Sequence, residues 1–162
     1  MIQGHHIHPL LTSSPMPKLS RILLYYDGSR EAKSALHRAA DLALAFDAHT
    51  DILAVASVES AISASVGCLS DLAFIGIHEA TQAVLQEALD HMTGSRISAH
   101  GHIAFGDVVG SISTHASLLN SDMLVVGHRT RSRLTRWLGG GIAHSDLVKR
   151  CNGLAVVTIP CD

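Results

Sequence analysis

DMLVVGHRTRSRLTRWLGGGI, the segment from Asp122 to Ile142, contains the clearest indication of the fold. It opens with the apolar run Met123 to Val126, which is typical of a buried strand. We expect Gly127 to end that strand and a helix to begin near Ile142, after three consecutive glycines. Parallel α/β sheets bind phosphate where a strand and a glycine-bounded loop lead into a helix. There, unpaired backbone N–H groups and the positive end of the helix dipole face the anion.

The loop after Gly127 carries positive charge in a chain whose formal net charge is -2. It holds four arginines and no acidic residue: Arg129, Arg131, Arg133 and Arg136. Guanidinium groups form strong charge-assisted hydrogen bonds with phosphate, so this local excess favours an anion site. The alternative interpretation is a solvated surface loop with a glycine hinge.

Composition limits the possible classes of protein. A chain of 162 residues with 47% apolar and 16% charged residues can form one globular domain. The sequence has no excess of basic residues of the kind that binds nucleic acid. It also has no apolar run long enough to span a membrane. Three cysteines without CxxC spacing are typical of a reduced, cytoplasmic protein.

The domain is expected to occupy residues 20–162, after a flexible N-terminal extension over residues 1–19 that lacks sustained periodicity. The extension contains His5, His6 and His8, which are close enough to bind a metal loosely but are better explained as part of a mobile tail. The chain has 12 histidines in all, and they are scattered. We therefore predict no metal site from the sequence.

Hydrophobic periodicity predicts five strands that alternate with four helices. The predicted strands are Arg21–Tyr26, Asp51–Ser57, Ile97–Phe105, Met123–Val126 and Leu154–Ile159. The first predicted helix ends near Phe46, and the second spans roughly Leu69–Met92. The third begins after Gly106-Asp107, and the fourth spans about Ile142–Arg150. This alternation implies a parallel, doubly wound sheet with helices on both faces. Ligands of such sheets bind beyond the carboxyl ends of the strands, at the switch in strand order.

Apolar faces are predicted for two helices and one strand. On the first helix the expected buried residues are Ala32, Leu36, Ala39, Ala43 and Phe46. On the second they are Ala73, Ile77, Ala80, Val84 and either Ala88 or Leu89. The third strand alternates Ile97, Ala99, Gly101, Ile103 and Phe105 against polar neighbours.

From Arg21 to Ile159 the chain resembles the universal stress protein family. One matching segment is ILLYYDGSREAKSAL, from Ile22 to Leu36, and the other is the glycine pattern that begins at Gly127. The resemblance implies an adenine nucleotide alpha hydrolase-like fold, a five-stranded parallel sheet in the order 3-2-1-4-5. It also implies a homodimer that pairs through the last strand, Leu154–Ile159.

The family's nucleotide signature is a glycine, two residues, a glycine, nine residues, and a glycine followed by Ser or Thr. This chain matches it at Gly127 and Gly140 and departs from it at Thr130 and Gly141. Thr130 adds a Cβ where backbone approaches phosphate, which costs about 1 kcal/mol if the position needs a positive φ. Gly141 lacks the hydroxyl but keeps an N–H donor.

Carried over to this chain, the resemblance gives Asp27 a ribose-binding role, although a turn or helix-capping role would explain it equally. Val55 would contact adenine, or serve only as core. Gly127 would allow close approach at the end of its strand. The phosphate contacts would come from the backbone at Gly140, Gly141 and Ile142. The side chains of Arg129 and Arg131, which flank Thr130, would contact the outer phosphates.

The function implied is the binding of an adenine nucleotide, ATP or AMP, with or without Mg²⁺, by a regulatory or protective module of the stress response. There is no GxxxxGK[ST] motif and no evident pair of base and nucleophile, so no strong catalytic activity is expected. Two alternatives stay open: a nucleotide-free dimeric interaction protein with a degenerate phosphate loop, and a slow ATPase.

Overall fold

A computed structural model of the protein describes residues 19–56, 71–129, 147, 149–151 and 153–161, with side chains omitted at 71–73 and 129. The predicted extension lies outside this range except for Leu19, which packs against the core. The strands are β1 Arg21–Tyr25, β2 His49–Ala56, β3 Ala99–Phe105, β4 Met123–Arg129 and β5 Ala155–Cys161. The helices are α1 Arg30–Phe46, α2 Asp71–Gly94 and α3 Val108–Leu118. Leu147, Lys149 and Arg150 are also helical, within the predicted last helix.

All five strands are parallel and their order is β3-β2-β1-β4-β5, as expected. Two apolar clusters cover the two faces of the sheet. One joins the sheet to α1 and α2, with Leu24, Leu36 and Met92 among its members. The other joins the sheet to α3 and to Leu147 and Cys151. Helices therefore cover both faces, and the fold class predicted from the sequence is confirmed.

Capping interactions and backbone conformation at its two ends fix where α1 begins and ends. Ser29 is the N-cap of α1, and its hydroxyl accepts a hydrogen bond from Ala32 N at 3.1 Å. Glu31 follows in the first turn, where a negative charge interacts favourably with the positive end of the helix dipole. The helix stops at Asp47, whose φ of 50° places it in the left-handed region.

Several predicted boundaries and faces were wrong. Strand β4 does not stop at Gly127 but continues to Arg129, because β5 pairs with it that far, to Cys161. Strand β5 likewise runs through Pro160, which is tolerated because β5 is an edge strand. On α2, Ala80 is exposed, contrary to the prediction, and Ala73 lies outside the described side chains. Among the side chains of α2 that the structure describes, the buried ones are Leu85, Met92 and Ala88, the last as predicted.

Two aromatic residues predicted to be buried lie at the surface. Phe46 is 40% exposed because it is the last residue of α1. Phe105 is 44% exposed at the end of the edge strand β3, where its ring stacks on Phe74 with centroids 5.1 Å apart. Periodicity identifies a face of an element but cannot tell where the neighbouring layer ends.

Asp122 joins the amino ends of the central strands. Its Oδ2 accepts hydrogen bonds from Ser20 N at 2.9 Å, Ser20 Oγ at 3.1 Å and Arg21 N at 2.9 Å. Its own N–H donates to Arg21 O, and its carbonyl accepts from Ala155 N. The backbone hydrogen bond from Ser20 is the main reason why the pKa of Asp122 lies below its usual value.

We expect Asp122→Asn to lower the free energy of unfolding at pH 7 by about 1 kcal/mol, a modest value because solvent screens the carboxylate. Because the folded-state pKa is depressed, the carboxylate stabilises the fold above its unfolded pKa of about 3.9 and loses that effect as pH falls through the folded pKa. The difference from wild type should therefore shrink in thermal melts between about pH 5 and pH 2. Asp41→Asn, which alters an exposed ion pair with Arg38 on α1, is the control. If the stability of wild type and of Asp122→Asn changed with pH in the same way, the stabilising role assigned to the Asp122 carboxylate would be wrong.

None of the helices that the structure describes has both the length and the apolar character needed to cross a bilayer.

Candidate functional site

The two central strands separate at their carboxyl ends. The pairing between β1 and β4 runs from Ile22↔Met123 to Leu24↔Val125. Beyond it, Tyr26 N donates to Leu53 O of β2, whereas β4 continues to pair with β5. This separation coincides with the switch in strand order, where doubly wound sheets bind their ligands. The expectation that the strands leading to Asp27 and containing Gly127 are neighbours is thus confirmed.

Asp27 follows β1 at this opening, and its side chain is exposed. Its Oδ1 accepts a hydrogen bond from Ser29 N at 3.0 Å, across a turn in which Gly28 has a φ of 75° that favours glycine. Burial raises the pKa of the Tyr25 hydroxyl, and the negative charge of Asp27 raises it further. Asp27 thus supports the turn before α1 and presents an exposed carboxylate at the switch point.

Val55 lies on β2, beside the same end of the sheet. It is partly buried, pairs with Ala104 of β3 and packs against the cluster beneath α3. Tyr25, two residues before Asp27, belongs to that same cluster. Val55 and Tyr25 therefore share one face of the sheet. Both roles predicted for Val55, core packing and contact with an adenine ring, are compatible with this position.

Gly127 is inside β4, and the space beside it is filled by the protein itself. A Cβ added to Gly127 would lie 2.8 Å from Ala32 N and still closer to the backbone carbonyl of Glu31. The backbone of the first turn of α1 therefore packs directly on the strand. In the structure, this glycine allows the close approach of helix α1, and its predicted contact with a ligand stays a prediction.

The phosphate half of the predicted site is described only at its beginning. Arg129 is the last residue of β4. The remaining predicted residues, Thr130, Arg131, Gly140, Gly141 and Ile142, lie outside the described residues. Of the predicted site residues, Asp27 and Val55 lie toward the carboxyl ends of the neighbouring strands β1 and β2.

An ion pair between α1 and α2 was not predicted from the sequence. The Lys33 ammonium lies 2.9 Å from Glu87 Oε1, which links α1 to α2. This hydrogen bond is the main reason why the pKa of Glu87 is lowered. Burial, followed by the charge of Glu87, raises the pKa of Tyr26 to about 12. Residues 33 and 87 are too far apart in the chain for local spacing to indicate this contact.

The strand order and the helices on both faces define a doubly wound, parallel α/β protein. Residues 18–152 match the model of the universal stress protein family. Since the match covers most of the chain, the protein belongs to that family.

Solved structures show the same fold. One from the universal stress protein family of Burkholderia pseudomallei is 21% identical, with a TM-score of 0.64, and the match covers 91% of this chain and 100% of that one. A universal stress protein in complex with cAMP is 19% identical, with a TM-score of 0.63 and coverage of 88% and 98%. An Arabidopsis thaliana family protein with AMP bound is 17% identical, with a TM-score of 0.60 and coverage of 88% and 92%. No curated protein matched the sequence.

Proposed function

We propose that this protein is an adenine-nucleotide-binding universal stress protein, a cytoplasmic regulatory or protective module without strong catalytic activity. The observation that carries the proposal is the switch in strand order at β1 and β4, with the exposed Asp27 carboxylate just after the end of β1. Val55 lies on the adjacent strand β2. A carboxylate can accept hydrogen bonds from both ribose hydroxyls, and an aliphatic side chain beside it can pack on a purine.

Two further points support the proposal. Family structures of similar fold are complexes with cAMP and with AMP. In this chain, the segment after Arg129 supplies Arg131, Gly140 and Gly141, whose charge and backbone N–H groups are suited to phosphate. The nucleotide would then alter the surface or the dimer of the protein instead of being hydrolysed.

The primary test is mass spectrometry of small molecules released by denaturing the purified protein, followed by titration with ATP, ADP, AMP and cAMP, each with and without Mg²⁺. Bound nucleotide, or a Tm that rises with nucleotide concentration, is the expected result because a ligand of the folded state stabilises it. Preference for ATP would indicate that the arginines contact the outer phosphates. No ligand and no shift at millimolar concentration would refute the proposal.

If position 130 needs a positive φ to bind phosphate, Thr130→Gly should tighten ATP binding by about fivefold, because glycine avoids a strain of about 1 kcal/mol. Thr135→Gly is the matched control, since it adds a glycine to the same segment outside the family's glycine positions. Calorimetric titration of both variants gives the comparison. Equal or weaker ATP affinity in Thr130→Gly would show that Thr130 does not restrict the loop.

A nucleotide-free dimeric interaction protein is the second candidate. It is favoured by the packing of α1 on Gly127 and by the engagement of Asp27 Oδ1 with Ser29. Strand β5 is at the edge of the sheet, so it is the strand through which we propose that two copies pair. Light scattering should give the mass of two chains in either case. A dimer that binds no nucleotide would select this candidate, whereas ATP hydrolysis abolished by Asp27→Ala would select a slow ATPase.

A further inference from the structure

Three histidines lie near a buried carboxylate toward the amino ends of β2 and β3, at the opposite end of the strands from the switch point. We call His49, Asp51, His100 and His102 the histidine–aspartate cluster. His49 and Asp51 are in β2, and His100 and His102 are in the edge strand β3. The cluster lies toward the amino ends of these strands, away from the carboxyl end where Asp27 and the predicted nucleotide site are located.

The parallel register brings these four residues together. Asp51 pairs with His100, and Leu53 pairs with His102. Side chains two residues apart on a strand point to the same face, so each strand contributes two cluster residues to one face. That face is the α3 side, to which Leu53 belongs. The sequence does contain the signal, a His-x-Asp and a His-x-His of period two, but their proximity depends on β2 and β3 being neighbours.

Asp51 is only 3% exposed, and two imidazoles approach its carboxylate. His102 Nε2 lies 2.8 Å from Asp51 Oδ1, and His49 Nε2 lies 3.7 Å from the same oxygen. The His49 and His100 rings are in contact, with centroids 4.7 Å apart. A buried charge is costly unless it is paired with a positive group or coordinates a metal. Among the residues that the structure describes, one hydrogen bond from His102 is the closest polar contact of Asp51.

We propose that His49, Asp51 and His100 bind a divalent transition metal ion, with Zn²⁺ as the representative. Each residue offers one ligand atom, and the three atoms lie within 4.8 Å of one another. Tetrahedral zinc with ligands at about 2.0–2.1 Å requires separations of about 3.3 Å, which rotation of the imidazole rings can provide. His100 is exposed and the His49 side chain is 33% exposed, so the ion can enter from solvent.

The donor set determines the class of metal. Two imidazoles and one carboxylate suit zinc and its first-row neighbours, whereas Mg²⁺ and Ca²⁺ require oxygen ligands. Three protein ligands leave a fourth position for water or for a group from a partner. His102 acts as a positioning residue, because its hydrogen bond to Oδ1 orients the Asp51 carboxylate. On α3, the centroid of the His115 ring lies 6.1 Å from that of the His102 ring.

The test measures zinc binding by competition with a chromophoric chelator, using the full chain after removal of bound metal. His5, His6 and His8 would also bind zinc, so all measurements use a background in which these three are alanine. We expect one zinc per chain in that background, and Co²⁺ in its place should give the visible absorption of a tetrahedral site. Mg²⁺ should not compete.

His49→Ala and His100→Ala should each weaken zinc binding by at least about tenfold, and both should fold because these side chains are partly or fully exposed. The matched control is His37→Ala, which removes a histidine that contacts His91 between α1 and α2, on the other face of the sheet. It should bind zinc as the background does. Asp51→Asn keeps the acceptor for His102 but removes the charge, and should weaken binding while retaining a cooperative melt.

Three outcomes would overturn the proposal: no stoichiometric zinc in the tail-substituted background, unchanged affinity in His49→Ala and His100→Ala, or an equal loss in His37→Ala. The first two would leave the cluster as a packed His102–Asp51 pair, and the third would indicate binding dispersed over surface histidines. None depends on whether the protein binds nucleotide.

Discussion

Gly127→Ala should destabilise the protein by about 3 kcal/mol and lower its Tm by roughly 6–12 °C. The added Cβ would overlap the carbonyl of Glu31 and lie 2.8 Å from Ala32 N. These are backbone atoms in the first turn of a helix whose N-cap, Ser29, already engages Ala32 N. They cannot yield as the end of a flexible side chain would, so α1 must move away from β4 and weaken the packing along its length.

Gly76→Ala is the matched control, because a Cβ at Gly76 would have no atom within 4 Å. Gly76 lies within α2, where alanine is the better helix former, so this change should stabilise the protein by about 0.5–1 kcal/mol. Thermal and urea unfolding without added nucleotide will compare the two. If Gly127→Ala melts like wild type and changes only nucleotide affinity, the glycine serves a ligand and the packing explanation is wrong.

Asp27→Ala should weaken adenine-nucleotide binding by about 10- to 100-fold, because hydrogen bonds from ribose hydroxyls to a charged acceptor contribute about 1.5–3 kcal/mol. Asp27→Asn should fall between this variant and wild type, since the amide oxygen still accepts but carries no charge. Isothermal titration with AMP isolates the nucleoside contact from the contribution of the outer phosphates.

Ser29→Ala separates the two roles of Asp27. It removes the cap of α1, at a cost of about 1 kcal/mol, but keeps the Ser29 N–H that Asp27 Oδ1 accepts. We expect Ser29→Ala to lower Tm with little effect on AMP affinity. If Asp27→Ala lowers Tm in the same way and also leaves AMP affinity unchanged, Asp27 is a turn residue and not a ribose ligand.

The sequence by itself determined the alternation of strands and helices. Apolar runs such as Ile22–Tyr25, the Asp27–Ser29 turn and the periodic alanines of α1 are local signals, and each produced the expected element. The strand order was implied by the family resemblance and is confirmed. Local signals suffice here because chain stiffness, capping and burial of one face act over a few residues.

Only the tertiary structure decided what several residues contact. Gly127 was assigned to a ligand, yet the backbone at Glu31, almost a hundred residues earlier, occupies the space beside it. The histidines are scattered along the sequence, and only the register of β2 and β3 places His100 opposite Asp51. The physical reason is common to both: a contact between distant segments depends on how layers and strands are placed side by side, and the local periodicity of a chain does not contain that information.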